Sequence, residues 1–281
     1  MNQRFNALVR DLATRIDARP HANGLREARL LVEHVTGHST AAQIVVGDHR
    51  VPQNDQETLL ALVARREAGE PLARILGRAA FWDFEVGLNA ATLIPRDDTA
   101  TLVEAALARL PEDSSAHVVD VGTGSGIILL ALARERPHIS ATGLDVAADA
   151  VTQARANAVD LGLADRLSFA QSDWLDAVDG PLDMIVSNPP YIPQGAMTAL
   201  DEEVRLHDPQ RALVAGDDGL DAYRAIFPQA ANKLKHGGYL LVEIGHDQAE
   251  AVQALGQASG FQLQETRQDL SGHDRVVVFQ H

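Results

Sequence analysis

The chain has 281 residues, 46% of them hydrophobic, no cysteine, and a formal net charge of −15 with a pI near 5.0. The missing cysteines exclude disulfides, zinc–thiolate sites and thiol nucleophiles. The acidity argues against gripping bare nucleic acid, which depends on clustered Lys and Arg. It fits an ordinary acidic enzyme or one that prefers a basic protein partner.

Met1-Asn2-Gln3-Arg4-Phe5 opens directly into a polar amphipathic pattern with no signal-peptide core, and no apolar run reaches the roughly 18–20 residues of a membrane span. A cytoplasmic protein with one large domain and one small one is expected. Residues 1–75 read as a small helical bundle. Phe5, Leu8, Val9, Leu12 and Ile16 share one helical face, and Pro20 closes that segment. Leu25, Ala28, Leu31, Val32 and Val35 repeat the pattern up to Gly37, and Pro52 opens a third segment with Leu59, Leu60, Leu62 and Val63. His34 and His38 fall within one helical turn of each other, but with no third ligand nearby they read as surface residues; no metal is expected.

Residues 76–96 change character. Phe81-Trp82-Asp83-Phe84-Glu85-Val86 and a second run reaching Leu93-Ile94-Pro95 predict a β-hairpin linker. From 97 to 281 strands and helices alternate. Strands are expected at 117–121, 139–145, 167–170, 182–187, 238–244, 261–267 and 274–280, with helices at 98–110, 126–135, 147–160, 218–235 and 247–258. Such alternation predicts an α/β domain with a parallel doubly wound sheet. The stretch Gln268 to His273 is too short for a crossover helix, so the last two strands should pair antiparallel. A parallel sheet with a reversed last strand is the Rossmann-like pattern of class I methyltransferases.

Two motifs carry the chemistry. His117-Val118-Val119-Asp120-Val121 leads into Gly122-Thr123-Gly124-Ser125-Gly126 and then an apolar helix start. Glycines let the backbone turn tightly and approach a ligand, and the helix N-terminus favours a carboxylate. Gly-x-Gly-x-Gly after an acid differs from the dinucleotide spacing. Asp145, about 20 residues on at the end of the next strand, is placed to accept from ribose hydroxyls; as a bland alternative it caps the following helix at Ala147. Asp173 and Trp174 end another strand and are candidates for adenine contacts, or else turn and core residues. The loop reads as a site for S-adenosylmethionine.

The second motif is Asn188-Pro189-Pro190-Tyr191, directly after the strand-like run 182–187. An amide or base nitrogen is a poor nucleophile because its lone pair is delocalised. The Asn188 side-chain carbonyl and the Pro189 backbone carbonyl can accept its two hydrogens and aim it. Pro189 and Pro190 rigidify the backbone, and Tyr191 can stack on a flat group. This motif alone leaves adenine N6, guanine N2 and glutamine N5 open as methyl acceptors.

Further stretches carry a resemblance: Glu67 to Leu72, Ile75-Leu76-Gly77, Phe81-Trp82, Leu93-Ile94-Pro95-Arg96 with Asp98-Thr99, Asp208-Pro209, Asp218-Gly219-Leu220, Glu243-Ile244-Gly245 with Gln248, and Asp274-Arg275-Val276-Val277. With the two motifs, these make the chain resemble the HemK/PrmC family over essentially its whole length. The resemblance implies transfer of a methyl group from S-adenosylmethionine to N5 of the glutamine in the Gly-Gly-Gln motif of class I peptide chain release factors. S-adenosylhomocysteine is the implied product. It implies that Gly122 to Gly126, Asp145 and Trp174 contact the cofactor, that Asn188 to Tyr191 hold the glutamine, and that the helical domain helps dock the release factor. Neither a membrane nor direct nucleic-acid binding is implied. Two departures stand out: Asp97 and Ala100 in the Pro-Arg segment, and Arg74 where tyrosine is common; no role is carried to them. The rivals are glutamine methylation of a ribosomal protein and amino-group methylation of a nucleic-acid base, which the charge disfavours.

Overall fold

The computed structural model describes residues 3–20 and 22–281, which form two compact units: the chain through Gly77 together with Glu202–His207, and Arg78–Asp201 together with Asp208–His281. The first is helical. Helix α1 (Phe5–Ile16) buries Phe5, Leu8, Leu12 and Ile16, the stripe its spacing predicts. It ends at Ile16, before Pro20. The Asn23 side chain caps α2 (Gly24–Thr36) by accepting from Arg26 N at 3.1 Å, and Gly37 ends it in the left-handed conformation at φ 71°. Pro52 opens α4 (Gln53–Glu67). Between and after these lie α3 (Thr40–Val45) and α5 (Leu72–Leu76), too short to leave a periodic signature. The Arg66 guanidinium is 5% exposed and pairs with Glu27 at 2.7 Å and Glu203 at 2.6 Å, so the charge inside this bundle is matched.

The second unit begins with a hairpin, β1 (Arg78–Phe81) against β2 (Phe84–Gly87). Its turn is Trp82-Asp83, with Trp82 at φ 56°. The hairpin therefore closes inside the aromatic run, and Leu93-Ile94-Pro95 is irregular rather than its second strand. The cause lies at Asn89–Thr92. There the Thr92 hydroxyl accepts from Asn89 N and donates to Asn89 O, both at 3.1 Å, which turns the chain away from β1.

The main sheet has seven strands: β3 (His117–Val121), β4 (Ser140–Asp145), β5 (Leu167–Gln171), β6 (Leu182–Ser187), β7 (Leu234–Glu243), β8 (Gln262–Gln268) and β9 (Asp274–Gln280). Their order is β5-β4-β3-β6-β7-β9-β8. Pairing is parallel from β5 to β7, while β9 runs antiparallel to both β7 and β8. The reversed last strand thus lies inside the sheet, with β8 at the edge. Helices α6 (Ala100–Leu107), α7 (Ile127–Glu135), α8 (Ala148–Asp160), α10 (Asp221–Lys233) and α11 (Ala249–Ala258) accompany it; α9 is the Glu202–His207 segment of the helical unit.

Alternate strand residues face opposite sides. Val118, Met184, Leu241 and Val278 enter one buried cluster, while Val119, Ile185, Leu240 and Phe279 enter another. Among the described residues no helix is long and apolar enough to cross a membrane.

In the second cluster Phe279 packs against Phe227 and Phe261 at centroid distances of 5.5 and 6.0 Å, and α11 approaches closely over Gly256. A Cβ on Gly256 would stand 2.3 Å from the Phe279 ring. Alanine would gain about 1 kcal/mol of helix propensity. Overpacking a buried ring costs about 1–3 kcal/mol, and with no free volume around three rings the clash should win. Gly256→Ala is expected to lower the urea midpoint with an unchanged m-value; a stabilised variant would refute this packing.

Candidate active site

Strand order sets the site. From β3 the chain builds β4 and β5 on one side, then β6 and β7 on the other, so β3 and β6 meet at a topological switch point. Their pairing, Val118↔Met184 through Asp120↔Val186, brings both C-terminal ends to the same edge. The glycine loop leaves β3 there and Asn188-Pro189-Pro190-Tyr191 leaves β6. The Ser187 hydroxyl donates to Val121 O at 2.6 Å and pins the two exits together.

Gly122, Gly124 and Gly126 have φ of 76°, 54° and 86°, values that side chains with a Cβ rarely adopt. Gly126 is the N-cap of α7 and packs beside Phe169. Buried Asn157 steadies the loop: its amide donates to Ser125 O at 2.8 Å and Gly87 O at 3.1 Å, and its carbonyl accepts from Gly87 N at 2.9 Å. Asp145 ends β4, and its two oxygens accept from Gly124 N at 3.0 Å and Ala147 N at 2.9 Å. It therefore caps at Ala147 and holds the loop, and each oxygen keeps a further lone pair.

Beneath the loop Asp120 is fully buried. Neither its carboxylate oxygens nor the Thr123 hydroxyl completes a hydrogen bond among the described residues. Burial pushes the Asp120 carboxyl up to about 7; the Thr123 hydroxyl pulls the other way, and the Asp145 charge adds to the rise.

These elements surround one cavity of about 620 Å³, within the usual range of ligand sites. Gly122, Thr123, Gly124, Ser125, Asp145, Asp173, Trp174, Asn188 and Pro190 line it. Leu93 to Arg96 also line it, which gives the irregular segment after the hairpin its role. Trp174 is held at φ 48° on the second apolar cluster. Three other residues singled out in the sequence do not line the cavity: Gly126 caps α7, Pro189 is buried, and Tyr191 is half-buried. The Tyr191 carbonyl accepts from Gln248 Nε2 at 2.9 Å; Gly219, at φ 77°, approaches it so closely that a Cβ would stand 2.3 Å away.

Behind Asn188 lies a polar chain that pattern reading misses. Asn188 Nδ2 donates to Thr99 Oγ1 at 3.0 Å, and Thr99 Oγ1 donates to Glu243 Oε2 at 2.8 Å. Tyr191 Oη donates to Glu243 Oε1 at 3.4 Å. Glu243 is 1% exposed, and burial drives its carboxyl up to about 7, against the Thr99 hydrogen bond and the Arg275 charge. The available signal was an acid closing the apolar run Leu240-Leu241-Val242.

The donor set suits S-adenosylmethionine. The glycine backbone leaves room beside the loop, Asp145 can accept from ribose hydroxyls, Trp174 offers a ring, and Asp120 is a buried carboxylate with no counter-charge. One family model, the Methyltransferase small domain, matches residues 97–216, and a second, the PrmC N-terminal domain, matches 4–77. A release factor glutamine methyltransferase of Rhodospirillum rubrum is 48% identical, covering 90% of this chain and 78% of that one. One of Bradyrhizobium diazoefficiens is 41% identical over 98% of this chain and 94% of its own. A methyltransferase structure from Pyrococcus furiosus superposes with a TM-score of 0.53 at 14% identity, covering 80% of this chain and 98% of that one, which speaks to the fold alone. With a glycine loop and an Asn-Pro-Pro-Tyr segment meeting in one cavity, and relatives of this closeness along its length, the chain belongs to the release factor glutamine methyltransferase family.

Proposed function

We propose that this protein methylates N5 of the glutamine in the Gly-Gly-Gln motif of class I release factors, using S-adenosylmethionine. The observation that carries the reading is the meeting of the glycine loop, Asp145 and Asn188 on one cavity wall. When bound, the cofactor supplies an electrophilic methyl group on a sulfonium sulfur and leaves as S-adenosylhomocysteine. Gly122 to Gly126, Asp145, Asp173 and Trp174 hold it. The Asn188 side-chain carbonyl and the Pro189 backbone carbonyl accept the two amide hydrogens of the glutamine. Two acceptors fix the NH2 plane and favour its pyramidalisation as the new bond forms. The nitrogen loses a proton only once methylated, so no strong base is required. Pro190 lines the cavity beside it, and Tyr191 lies behind with its hydroxyl on Glu243. The helical unit is assigned to docking the release factor, whose presence at the ribosome places the reaction in the cytoplasm.

The direct test offers labelled S-adenosylmethionine with purified class I release factor, total ribosomal protein or bulk RNA, followed by mass spectrometry. The label is expected on the Gly-Gly-Gln glutamine; label confined to ribosomal protein or RNA would reject the substrate assignment. Asn188→Ala should lower kcat by about 10²-fold or more, the usual loss for a group that stabilises the transition state. Its cofactor affinity should stay near wild type; unchanged turnover would exclude the role given to Asn188. Asp145→Ala should weaken cofactor binding by about 10–100-fold, the worth of a hydrogen bond to a charged group. Titration calorimetry reads this directly, and equal affinity would count against the ribose contact.

A further inference from the structure

We propose that Thr99 and Glu243 are positioning residues that decide which end of the Asn188 carboxamide faces the cavity. The proposal rests on the assignment of Asn188 as acceptor for the substrate amide. An Asn side chain has a donor end and an acceptor end of nearly the same shape, and only the acceptor end can receive an N–H. Something must break that symmetry.

Hydrogen counting shows how. An ionised Glu243 can only accept. The single hydroxyl hydrogen of Thr99, 2.8 Å from Glu243 Oε2, is therefore committed to the carboxylate. Thr99 Oγ1 can then only accept, so the Asn188 atom 3.0 Å away must be the amide nitrogen. The Asn188 oxygen is the end left free of this chain, and Asn188 lines the cavity. Thr99 lines the cavity but is only 1% exposed, and Glu243 behind it is 1% exposed and does not line it, so the carboxylate that sets the direction is shielded from water.

Protonating Glu243 removes the bias. A neutral carboxyl can donate to Thr99, which frees the Thr99 hydrogen for the Asn188 oxygen. Both carboxamide orientations then satisfy the chain, and one presents an NH2 to the incoming NH2. The groups facing Glu243 are the Thr99 hydroxyl, the Tyr191 hydroxyl at 3.4 Å, the Arg275 guanidinium and the Asp98 carboxylate; the Tyr223 hydroxyl donates to its backbone carbonyl at 2.8 Å. Burial and Asp98 favour the neutral form, while Thr99, Arg275 and Tyr191 favour the ionised one, and the balance lies at about 7. The orienting form is thus kept above that pH and lost as pH falls through it.

The experiment measures kcat, KM for release factor and cofactor affinity in full-length variants whose melting temperatures are recorded. Thr99→Val should lose about 10–100-fold in kcat, as orienting groups behind a reactive residue typically do, with KM and cofactor affinity near wild type. Thr99→Ser keeps the hydroxyl and should restore turnover. In wild type kcat should fall below about pH 7, and Glu243→Gln should be slow with no such inflection. Wild-type turnover in Thr99→Val, no rescue by Thr99→Ser, or the same inflection in Glu243→Gln would overturn the relay. Should Thr99→Val fail to fold, the Glu243→Gln profile decides. If Asn188→Ala is inactive while Thr99→Val is unimpaired, only the relay falls; if Asn188→Ala is active, the assignment of Asn188 falls with it.

Discussion

The parallel pairing of β3 with β6 is the constraint on which the rest depends. Parallel neighbours must end at the same sheet edge, and consecutive parallel strands need crossovers, so two loops distant in sequence emerge side by side. Val119 and Ile185 form one rung of that ladder, and the Ser187–Val121 hydrogen bond closes it. With this edge fixed, one loop can be devoted to a nucleotide-like ligand and the other to a planar NH2 group. Cofactor and acceptor are then neighbours without either motif knowing the other's sequence.

The segments that form the cavity, and the Tyr191 stretch next to it, are tied down by local contacts. Asn157 ties the glycine loop to the hairpin through Gly87 and Ser125. Gln248 and the close approach of Gly219 hold the Tyr191 carbonyl. A site built this way orders little on binding, so less of the interaction energy is lost to immobilising the protein. The two most deeply buried carboxyl groups, Asp120 and Glu243, differ in surroundings. Asp120 lies under the loop with its oxygens unbonded among the described residues, and burial raises its carboxyl to about 7. Glu243 is already engaged by Thr99 and Tyr191 and acts inward on the protein.

The sheet was legible because its strands are short apolar runs and its loops carry glycine and proline. The reversal of β9 followed from the few residues between Gln268 and His273. Its insertion between β7 and β8 was not read, although the polar sequence of β8, Gln262–Gln268, against the apolar Val276 to Phe279 of β9 suits an edge strand. The hairpin was misplaced because Trp82 in a left-handed turn is a poor turn signal, whereas Leu93-Ile94-Pro95 looks like a strand. The glycine loop, Asp145 and Asn188 were readable because each bears a chemical signature at a strand end. Thr99 and Glu243 stood out only as stretches of resemblance without a role, and Asn157 not at all, because a supporting residue is defined by what lies against it: 144 residues separate Thr99 from its partner Glu243.

The Arg66–Glu203 pair bears on synthesis. The two residues lie 137 positions apart, yet both belong to the helical unit. When Arg66 leaves the ribosome, its second carboxylate, Glu203, has not yet been made. At ordinary elongation rates that delay is roughly ten seconds. The pairing of Arg66 is thus complete only after strands β3 to β6 have been made. For the same reason a fragment ending at Gly77 is not the whole of its own unit: a cut at the obvious linker leaves Arg66 without Glu203.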